Sequence, residues 1–143
     1  MTGGSLPGAH GATVAARLVT TLRRGGLRLG VAESLTGGAL SAAVVSVPGA
    51  SHVLRGSVTA YDAEVKSEVL GVAHDLISEH GVVSEPVAIA MARGAARVLR
   101  ADVAVATTGV AGPGPSEGVP AGRVVVAAVH GRTAAVRSVL LGG

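Results

Sequence analysis

The chain has 143 residues, close to one ordinary domain, with 48% hydrophobic and 15% charged residues, so it is expected to fold around a core of its own. Cysteine is absent, which excludes disulfide scaffolds, cysteine-ligated zinc sites, iron–sulfur clusters and thiol nucleophiles. The net charge is only +3 and a single aromatic residue is present, so there is no stacking platform and a nucleic-acid partner is not expected.

Residues 1–11 carry glycine, proline and serine and are predicted to be a flexible lead-in, followed by a single domain over 12–143. The lead-in lacks the basic and apolar regions of a signal peptide. Weakly polar runs such as 39–47 are far shorter than the ~18 residues that span a membrane. We therefore expect a cytoplasmic protein without a membrane partner.

Helix and strand signals alternate along the chain. Val14, Leu18 and Leu22 recur at helical spacing in the first helix, while Ser84 and Pro86 mark the start of the last one. The predicted helices cover 12–24, 38–47, a short segment from 63, 75–80 and 84–100. The predicted strands cover 27–33, 53–61, 103–108, 124–130 and 133–141.

This alternation favours an α/β fold in which a central, mostly parallel sheet is covered on both faces. The last two strands are joined at Gly131-Arg132 and are predicted to form a hairpin, which makes the sheet mixed. Ligands of such folds bind beyond the carboxyl ends of the strands. The polar turn 34–38, the glycine-rich loop 109–122 and Tyr61 are all expected at that end.

Lys66 is the only lysine and Tyr61 the only tyrosine in a chain whose other eleven basic residues are arginines. An arginine does not lose its proton at useful pH, whereas a desolvated lysine can serve as a general base. Lys66 is therefore a candidate catalytic base, with Tyr61 at the preceding strand-to-helix turn. The alternative is a lysine that survives by chance on a solvated helix face.

Ser34 is the candidate nucleophile, because it follows a strand and precedes a Gly-Gly turn into a helix. Backbone N–H groups near Thr36–Gly38 would then point towards it and could hold an oxyanion or a phosphate. Alternatively, Ser34 or Thr36 is simply the N-cap of the helix that follows. If Ser34, Lys66 and Tyr61 meet, they can form a Ser–Lys arrangement in which the phenol relays or orients.

The second glycine-rich segment, Thr107–Gly114, has neither the spacing of a dinucleotide-binding fingerprint nor a P-loop. It is interpreted as a loop whose backbone approaches a ligand, and a loop without such a role is the alternative. The five histidines are not spaced as metal ligands. Glu33 and Glu85 are expected to fix backbone N–H groups rather than to transfer protons.

Four blocks, in this order, resemble the CinA C-terminal domain family and span most of the chain. The blocks are Ala32–Gly38, Arg55-Gly56 with Tyr61–Lys66, His80–Val87 and Gly109–Pro113. The resemblance implies an α/β/α sandwich on a mixed sheet. It also implies a nicotinamide-nucleotide amidohydrolase, which converts nicotinamide mononucleotide (NMN) and water into nicotinic acid mononucleotide and ammonia without a metal.

Carried over position by position, the resemblance implies Ser34 as the nucleophile, Lys66 as its base and Tyr61 as the supporting phenol. The residues that would shape the ligand site are Thr36, Gly37, Gly38, Thr108, Gly109 and Gly112. Donors near Gly37-Gly38 would hold the oxyanion. The implied partner is a small-molecule nucleotide substrate of pyridine-nucleotide salvage, and neither a cofactor nor a metal is expected.

Members of this family usually continue into a Gly-Asp-Arg segment and a final helix, whereas this sequence stops at Gly143. The expectation is that the helix is absent from this sequence or that a partner covers one sheet face, and a homo-oligomer, a dimer or larger, is expected. Members also occur fused behind a larger N-terminal domain, and its absence here favours the stand-alone enzyme. Two alternatives stay open: a non-catalytic nucleotide-binding or assembly module, and hydrolysis of a different amide or ester by the same Ser–Lys pair.

Overall fold

The computed structural model describes residues 9–142, with the side chains of 14–142. Within this range lie five α-helices, one short 3-10 helix and five strands. The helices are α1 (Ala9–Arg24), α2 (Ala39–Val45), α3 (Ala63–Glu68), α4 (His74–His80) and α5 (Glu85–Val98), with the 3-10 turn at Ala50–His52. The strands are β1 (Leu29–Glu33), β2 (Leu54–Thr59), β3 (Val103–Gly109), β4 (Arg123–His130) and β5 (Thr133–Leu140).

The five strands form one mixed sheet in the order β2-β1-β3-β4-β5. β1 lies parallel to both β2 and β3, whereas β4 is antiparallel to both β3 and β5. Four strands therefore run in one direction and only β4 runs against them, which confirms the predicted mixed, mostly parallel sheet. The predicted hairpin is also present, since His130 pairs with Thr133 across the Gly131-Arg132 turn.

Helices cover both faces of the sheet. Successive side chains of a strand point to opposite faces, so neighbouring residues of one strand pack against different helices. Leu29 and Val31 of β1 belong to an apolar cluster with residues of α1 and α2. Ala32 of the same strand belongs to a second cluster, which contains the buried side of α5. The molecule is therefore a three-layer α/β/α sandwich, as the sequence predicted.

Small side chains allow α5 to lie close to its neighbours. Ala88, Ala92 and Ala95 of this helix are completely buried. A Cβ atom on Gly94 would lie 2.0 Å from the carbonyl oxygen of Leu70, so only glycine fits where α5 meets the segment after α3. The close approach of the layers thus explains why the chain is so rich in alanine and glycine.

Several element boundaries differ from the predicted ones. α1 begins at Ala9, so the predicted lead-in is shorter than expected, and its residues 1–8 lie outside the described residues. β2 ends at Thr59, two residues earlier than predicted, because the next two carbonyls accept hydrogen bonds from a side chain instead of a strand. At the start of α5, Ser84 Oγ accepts a hydrogen bond from the Val87 N–H at 3.4 Å, which confirms the predicted N-cap.

One half of one sheet face carries no helix layer among the described residues. The helices α1 and α2 pack over β1, β2 and β3, while β4 and β5 are contacted extensively only by α5, on the opposite side. Val139 of β5 is 42% exposed on this open face. The expected homo-oligomer stays a prediction. None of the helices in the described part of the chain has the length and apolar character that a membrane span requires.

Candidate active site

A cleft of about 430 Å³ opens beyond the carboxyl ends of β1, β2 and β3, at the end of the sheet where the sequence predicted ligand binding. Its walls come from the turn after β1, the β2–α3 junction, the segment before α5 and the loop after β3. Six of the nine predicted site residues line this cleft: Ser34, Tyr61, Lys66, Thr108, Gly109 and Gly112.

Ser34 and Lys66 are in direct contact at the bottom of the cleft, although 32 positions separate them in the chain. Lys66 Nζ lies 3.0 Å from Ser34 Oγ. The same nitrogen donates to the carbonyl oxygens of Ala60 at 2.8 Å and Tyr61 at 3.1 Å. Both side chains are buried, with Lys66 2% and Ser34 6% exposed. The structure thus brings the predicted nucleophile and the predicted base together.

These three contacts fit the amine in either protonation state. An ammonium group has three N–H donors and would donate to the Ser34 hydroxyl and to both carbonyls. A neutral amine has two N–H donors, which the carbonyls of Ala60 and Tyr61 can accept. Its lone pair then faces the Ser34 hydroxyl, whose proton it can take. The two carbonyls therefore orient the amine for proton abstraction whenever it is neutral.

Burial lowers the pKa of the Lys66 ammonium below its ordinary value, because loss of water disfavours the charged form. The negative charge of Asp62 acts in the opposite direction without cancelling the effect of burial. A buried lysine with a lowered pKa is the kind of group that serves as a general base. The burial also excludes the alternative of a lysine on a solvated helix face.

Two hydrogen bonds explain why Ser34 and Lys66 meet, one between backbone groups and one to a side-chain cap. The Ala60 N–H donates to the Glu33 carbonyl at 2.7 Å, which ties the residue after β2 to the end of β1. Asp62 then begins α3 at once, since its carboxylate accepts from the Glu64 N–H at 2.8 Å. This N-cap places Lys66 on the first turn of α3, directly opposite the residue that follows β1.

The turn that carries Ser34 is held from below by the Glu33 carboxylate. This group accepts hydrogen bonds from the Leu40 N–H at 2.9 Å, the Ser41 N–H at 3.0 Å and the Ser41 hydroxyl. Burial raises the pKa of the Glu33 carboxyl, but these bonds and the nearby Thr36 hydroxyl outweigh it and keep the pKa below its ordinary value. The prediction that Glu33 fixes backbone N–H groups is confirmed.

Three predicted ligand-binding residues of this turn do not line the cleft, because the structure gives them other contacts. The Thr36 hydroxyl pairs with the Thr107 hydroxyl of β3 at 2.8 Å. The Gly37 N–H donates to the Ser34 carbonyl at 3.1 Å. Gly37 and Gly38 have φ values of 58° and 107°, so they allow the turn itself to form. Their ligand-binding roles stay predictions.

Tyr61 lies on the rim of the cleft and not at its bottom. Its backbone carbonyl, rather than its phenol, contacts the Lys66 amine. The Tyr61 side chain is 74% exposed because it leaves the chain at the tip of the β2–α3 turn. The expected supporting role of the phenol therefore rests on the resemblance alone, whereas the residue as a whole does line the cleft.

The carboxyl end of β3 approaches the cleft through Thr108 and Gly109. The Thr108 hydroxyl donates to the Val82 carbonyl at 2.8 Å and so fixes the wall formed by the segment before α5. A Cβ on Gly109 would lie 2.5 Å from the Arg123 carbonyl oxygen and 2.9 Å from Leu35 Cδ1. Glycine is therefore required at position 109 because the protein's own atoms leave no room for a side chain. The sequence predicts instead that a ligand approaches the backbone of this segment.

Three polar residues of the cleft are not predicted from the sequence: Asp62, Ser116 and Glu117. Asp62 carried a signal, since an aspartate directly before a helical segment is typical of an N-cap. Ser116 and Glu117 lie in the long loop, where no spacing indicates which side chains turn inward. Among the side chains of 14–142, no group of three His, Asp or Glu residues is placed to hold a metal ion.

Comparison with known proteins identifies the family that this chain resembles. The model of the CinA C-terminal domain matches residues 11–143. A CinA-like protein of Synechococcus sp. (strain CC9902) is 51% identical over 102 residues, which cover 71% of this chain and 24% of that protein. The curated relatives are longer than this chain, which spans 24% to 32% of their length.

Solved structures share the fold closely. The competence/damage inducible protein CihA from Agrobacterium tumefaciens has a TM-score of 0.91 and 34% identity, covering 97% of this chain and 86% of that chain. The competence damage-inducible protein A (ComA) from Klebsiella pneumoniae has a TM-score of 0.90 and 31% identity, covering 93% of this chain and 83% of that chain.

Proposed function

The chain belongs to the CinA C-terminal domain family, and from this premise we propose that its cleft hydrolyses the carboxamide of NMN to give nicotinic acid mononucleotide and ammonia. The observation that carries the proposal is the 3.0 Å contact between the buried Lys66 amine and the Ser34 hydroxyl. The resemblance of the sequence supplies the substrate, and the contact between Lys66 and Ser34 supports the proposed roles of base and nucleophile.

In the proposed reaction, neutral Lys66 takes the proton of Ser34 as the hydroxyl oxygen attacks the carboxamide carbon. The resulting Lys66 ammonium gives this proton to the departing nitrogen, and ammonia leaves with formation of an acyl-enzyme. Water then attacks the acyl carbon while Lys66 again acts as the base. The acid is released and the proton returns to Ser34, so the site is regenerated.

The negative charge that develops on the amide oxygen needs donors close to Ser34. Glu33 already occupies the Leu40 and Ser41 N–H groups, so the start of α2 supplies no donors for this purpose. The Leu35 and Thr36 N–H groups follow the nucleophile directly and donate to no other group within residues 9–142. We assign the oxyanion donors of the proposed reaction to this part of the turn.

Ammonia release from NMN tests the proposal directly. Ser34→Ala is expected to abolish the release, and Lys66→Arg to reduce it by at least about 10³-fold, because arginine keeps the charge but does not act as a base. Ser57→Ala, at an exposed serine of β2, is the matched control and should retain full activity. Undiminished hydrolysis by Lys66→Arg would refute the general-base role.

A second candidate function is a nucleotide-binding module without turnover. It is favoured by one observation: the three acceptors around Lys66 Nζ equal in number the three donors of a permanently charged ammonium. In that state Ser34 would accept from Lys66 and would not be activated. Saturable binding of NMN without release of ammonia, measured by calorimetry beside the ammonia assay, would select this function.

A further inference from the structure

The charges around the cleft are distributed unlike those of the rest of the chain. The chain carries eleven arginines and a net charge of +3, yet none of its arginines lines the cleft. The charged lining residues are Lys66, Asp62 and Glu117. When Lys66 is neutral, as the proposed reaction requires, the cleft holds two negative charges and no positive one.

The two carboxylates lie where an incoming ligand would meet them. Asp62 and Glu117 are both exposed, and they come from different walls, the β2–α3 turn and the loop after β3. Asp62 is close enough to Lys66 to favour its charged form, so its field reaches the bottom of the cleft. Glu117, which lines the cleft, has a φ of 50°, a conformation uncommon outside glycine.

The only aromatic ring of the chain lies on the same rim. Tyr61 directly precedes Asp62, and its side chain is 74% exposed beside the cleft. The face of an aromatic ring attracts cations, and the attraction adds to that of nearby carboxylates. An exposed tyrosine with two carboxylates is therefore suited to a flat, positively charged ring. It is poorly suited to an anionic group, which the same charges would repel.

We propose that this cation rim, defined as Tyr61, Asp62 and Glu117, selects substrates whose carboxamide is attached to a positively charged ring, that is, N-substituted pyridinium carboxamides, over neutral amides. Glu117 and Tyr61 are then specificity-determining residues. The inference rests on the proposed function and adds the ring charge as the recognised feature. It also places the phosphate of a nucleotide substrate outside the lining of this cleft, whose one basic side chain is the proposed base Lys66.

The test compares two ligands that differ in ring charge: 1-methylnicotinamide, a cation, and nicotinamide, which is neutral. Their dissociation constants are measured by calorimetry or NMR titration in the Ser34→Ala protein, which cannot turn over the amide. We expect the cation to bind several-fold more tightly, and the preference to shrink about three- to five-fold on adding Glu117→Gln, since one exposed charge is removed. Raising the salt concentration should shrink it further.

Two further variants separate charge from ring. Tyr61→Phe keeps the aromatic face and should retain the preference, whereas Tyr61→Leu should reduce it. Glu79→Gln removes another exposed carboxylate, one of α4 that does not line the cleft, so it should leave the preference unchanged. Equal affinity for the two ligands, or a preference that Glu117→Gln and Tyr61→Leu leave intact, would overturn the inference.

The inference and the proposed function fail in different ways. Ammonia release from NMN by the protein with Ser34 intact, without any preference for the cation, overturns the rim alone. A preference for the cation without ammonia release overturns the hydrolase and leaves the rim as the recognition element of a binding module. The binding comparison uses the Ser34→Ala protein and the ammonia assay uses the protein with Ser34 intact, so circular dichroism of each protein is recorded to show that both are folded.

Discussion

Replacement of Glu33 by glutamine removes the carboxylate that supports the Ser34 turn, while the size of the side chain at position 33 stays nearly the same. The Glu33 carboxylate is 1% exposed and accepts from two backbone N–H groups and one hydroxyl at the start of α2. Glutamine retains one accepting oxygen but presents an NH2 donor in place of the other. Either the Leu40 or the Ser41 N–H then faces a donor and loses its partner in a buried site.

The expected loss of stability follows from these contacts. A hydrogen bond to a charged acceptor contributes about 1.5–3 kcal/mol, and a buried unpaired donor costs about 1–3 kcal/mol. Because Glu33→Gln keeps one of the two backbone bonds, we expect the free energy of unfolding to fall by about 2–4 kcal/mol at pH 7. Hydrolysis should weaken as well, since the nucleophile directly follows residue 33.

The effect should depend on pH in a defined direction. Hydrogen bonds hold the pKa of Glu33 in the folded protein below its ordinary value, while the unfolded chain has a pKa of about 4.3. The stabilisation is therefore fully present above the unfolded pKa and is lost as the pH falls through the folded one. The difference between Glu33→Gln and the unaltered protein should begin to narrow as the pH falls below about 4.3, and it should close only below the folded pKa of Glu33, where both proteins carry a neutral side chain.

Urea denaturation followed by circular dichroism at pH 7 and at about pH 3.5 measures both effects. Glu79→Gln is the control, because the Glu79 side chain is 75% exposed and its replacement should change stability by less than about 0.5 kcal/mol. A loss below about 1 kcal/mol for Glu33→Gln, or a difference between the proteins that stays constant with pH, would show that the carboxylate does not hold the turn.

Contacts around α5 and the cleft give three further measurable effects. Gly94→Ala forces a methyl group into the Leu70 carbonyl. Because overpacking costs ~3 kcal/mol, the melting temperature measured by calorimetry should fall by about 6–12 °C. An unchanged melting temperature would contradict the required close approach of α5 to Leu70. Thr108→Val leaves the Val82 carbonyl without its donor, so KM for NMN should rise several-fold in steady-state assays while kcat changes less. The rate of hydrolysis should increase with pH through a pKa below the ordinary 10.5 of lysine, because only neutral Lys66 accepts a proton; a rate that falls with rising pH, or that rises only above 10.5, would contradict this.

The sequence predicted the Ser34–Lys66 pair for a physical reason that the structure bears out. Both residues follow parallel strands, and the carboxyl ends of parallel strands lie at one edge of a sheet. The rarity of lysine drew attention to Lys66, and the Gly-Gly turn drew attention to Ser34. The strand order that makes β1 and β2 neighbours carried no such local signal, because it is set by packing between distant segments.

The inward-facing residues of the long loop could not be predicted from the sequence. Loop 109–122 has no repeating pattern of burial, so nothing distinguished Glu117 from its neighbours. The role of Gly109 was also hidden, because the Arg123 backbone that excludes a side chain there belongs to an adjacent antiparallel strand. Periodicity predicts which face of an element is buried, but it does not predict contacts between irregular segments.

The two carbonyls beneath Lys66 explain why a lysine is needed there for structure as well as for the proposed chemistry. Ala60 and Tyr61 follow the end of β2, so their carbonyl oxygens have left the sheet ladder and accept from Lys66 Nζ instead. An apolar side chain of similar length would leave both acceptors without this donor, at a cost of about 1–3 kcal/mol each if buried. The same two bonds determine where the lone pair of a neutral amine points. Stability therefore constrains this position to a long donor, and the requirement that the donor be able to lose a proton restricts it further to lysine.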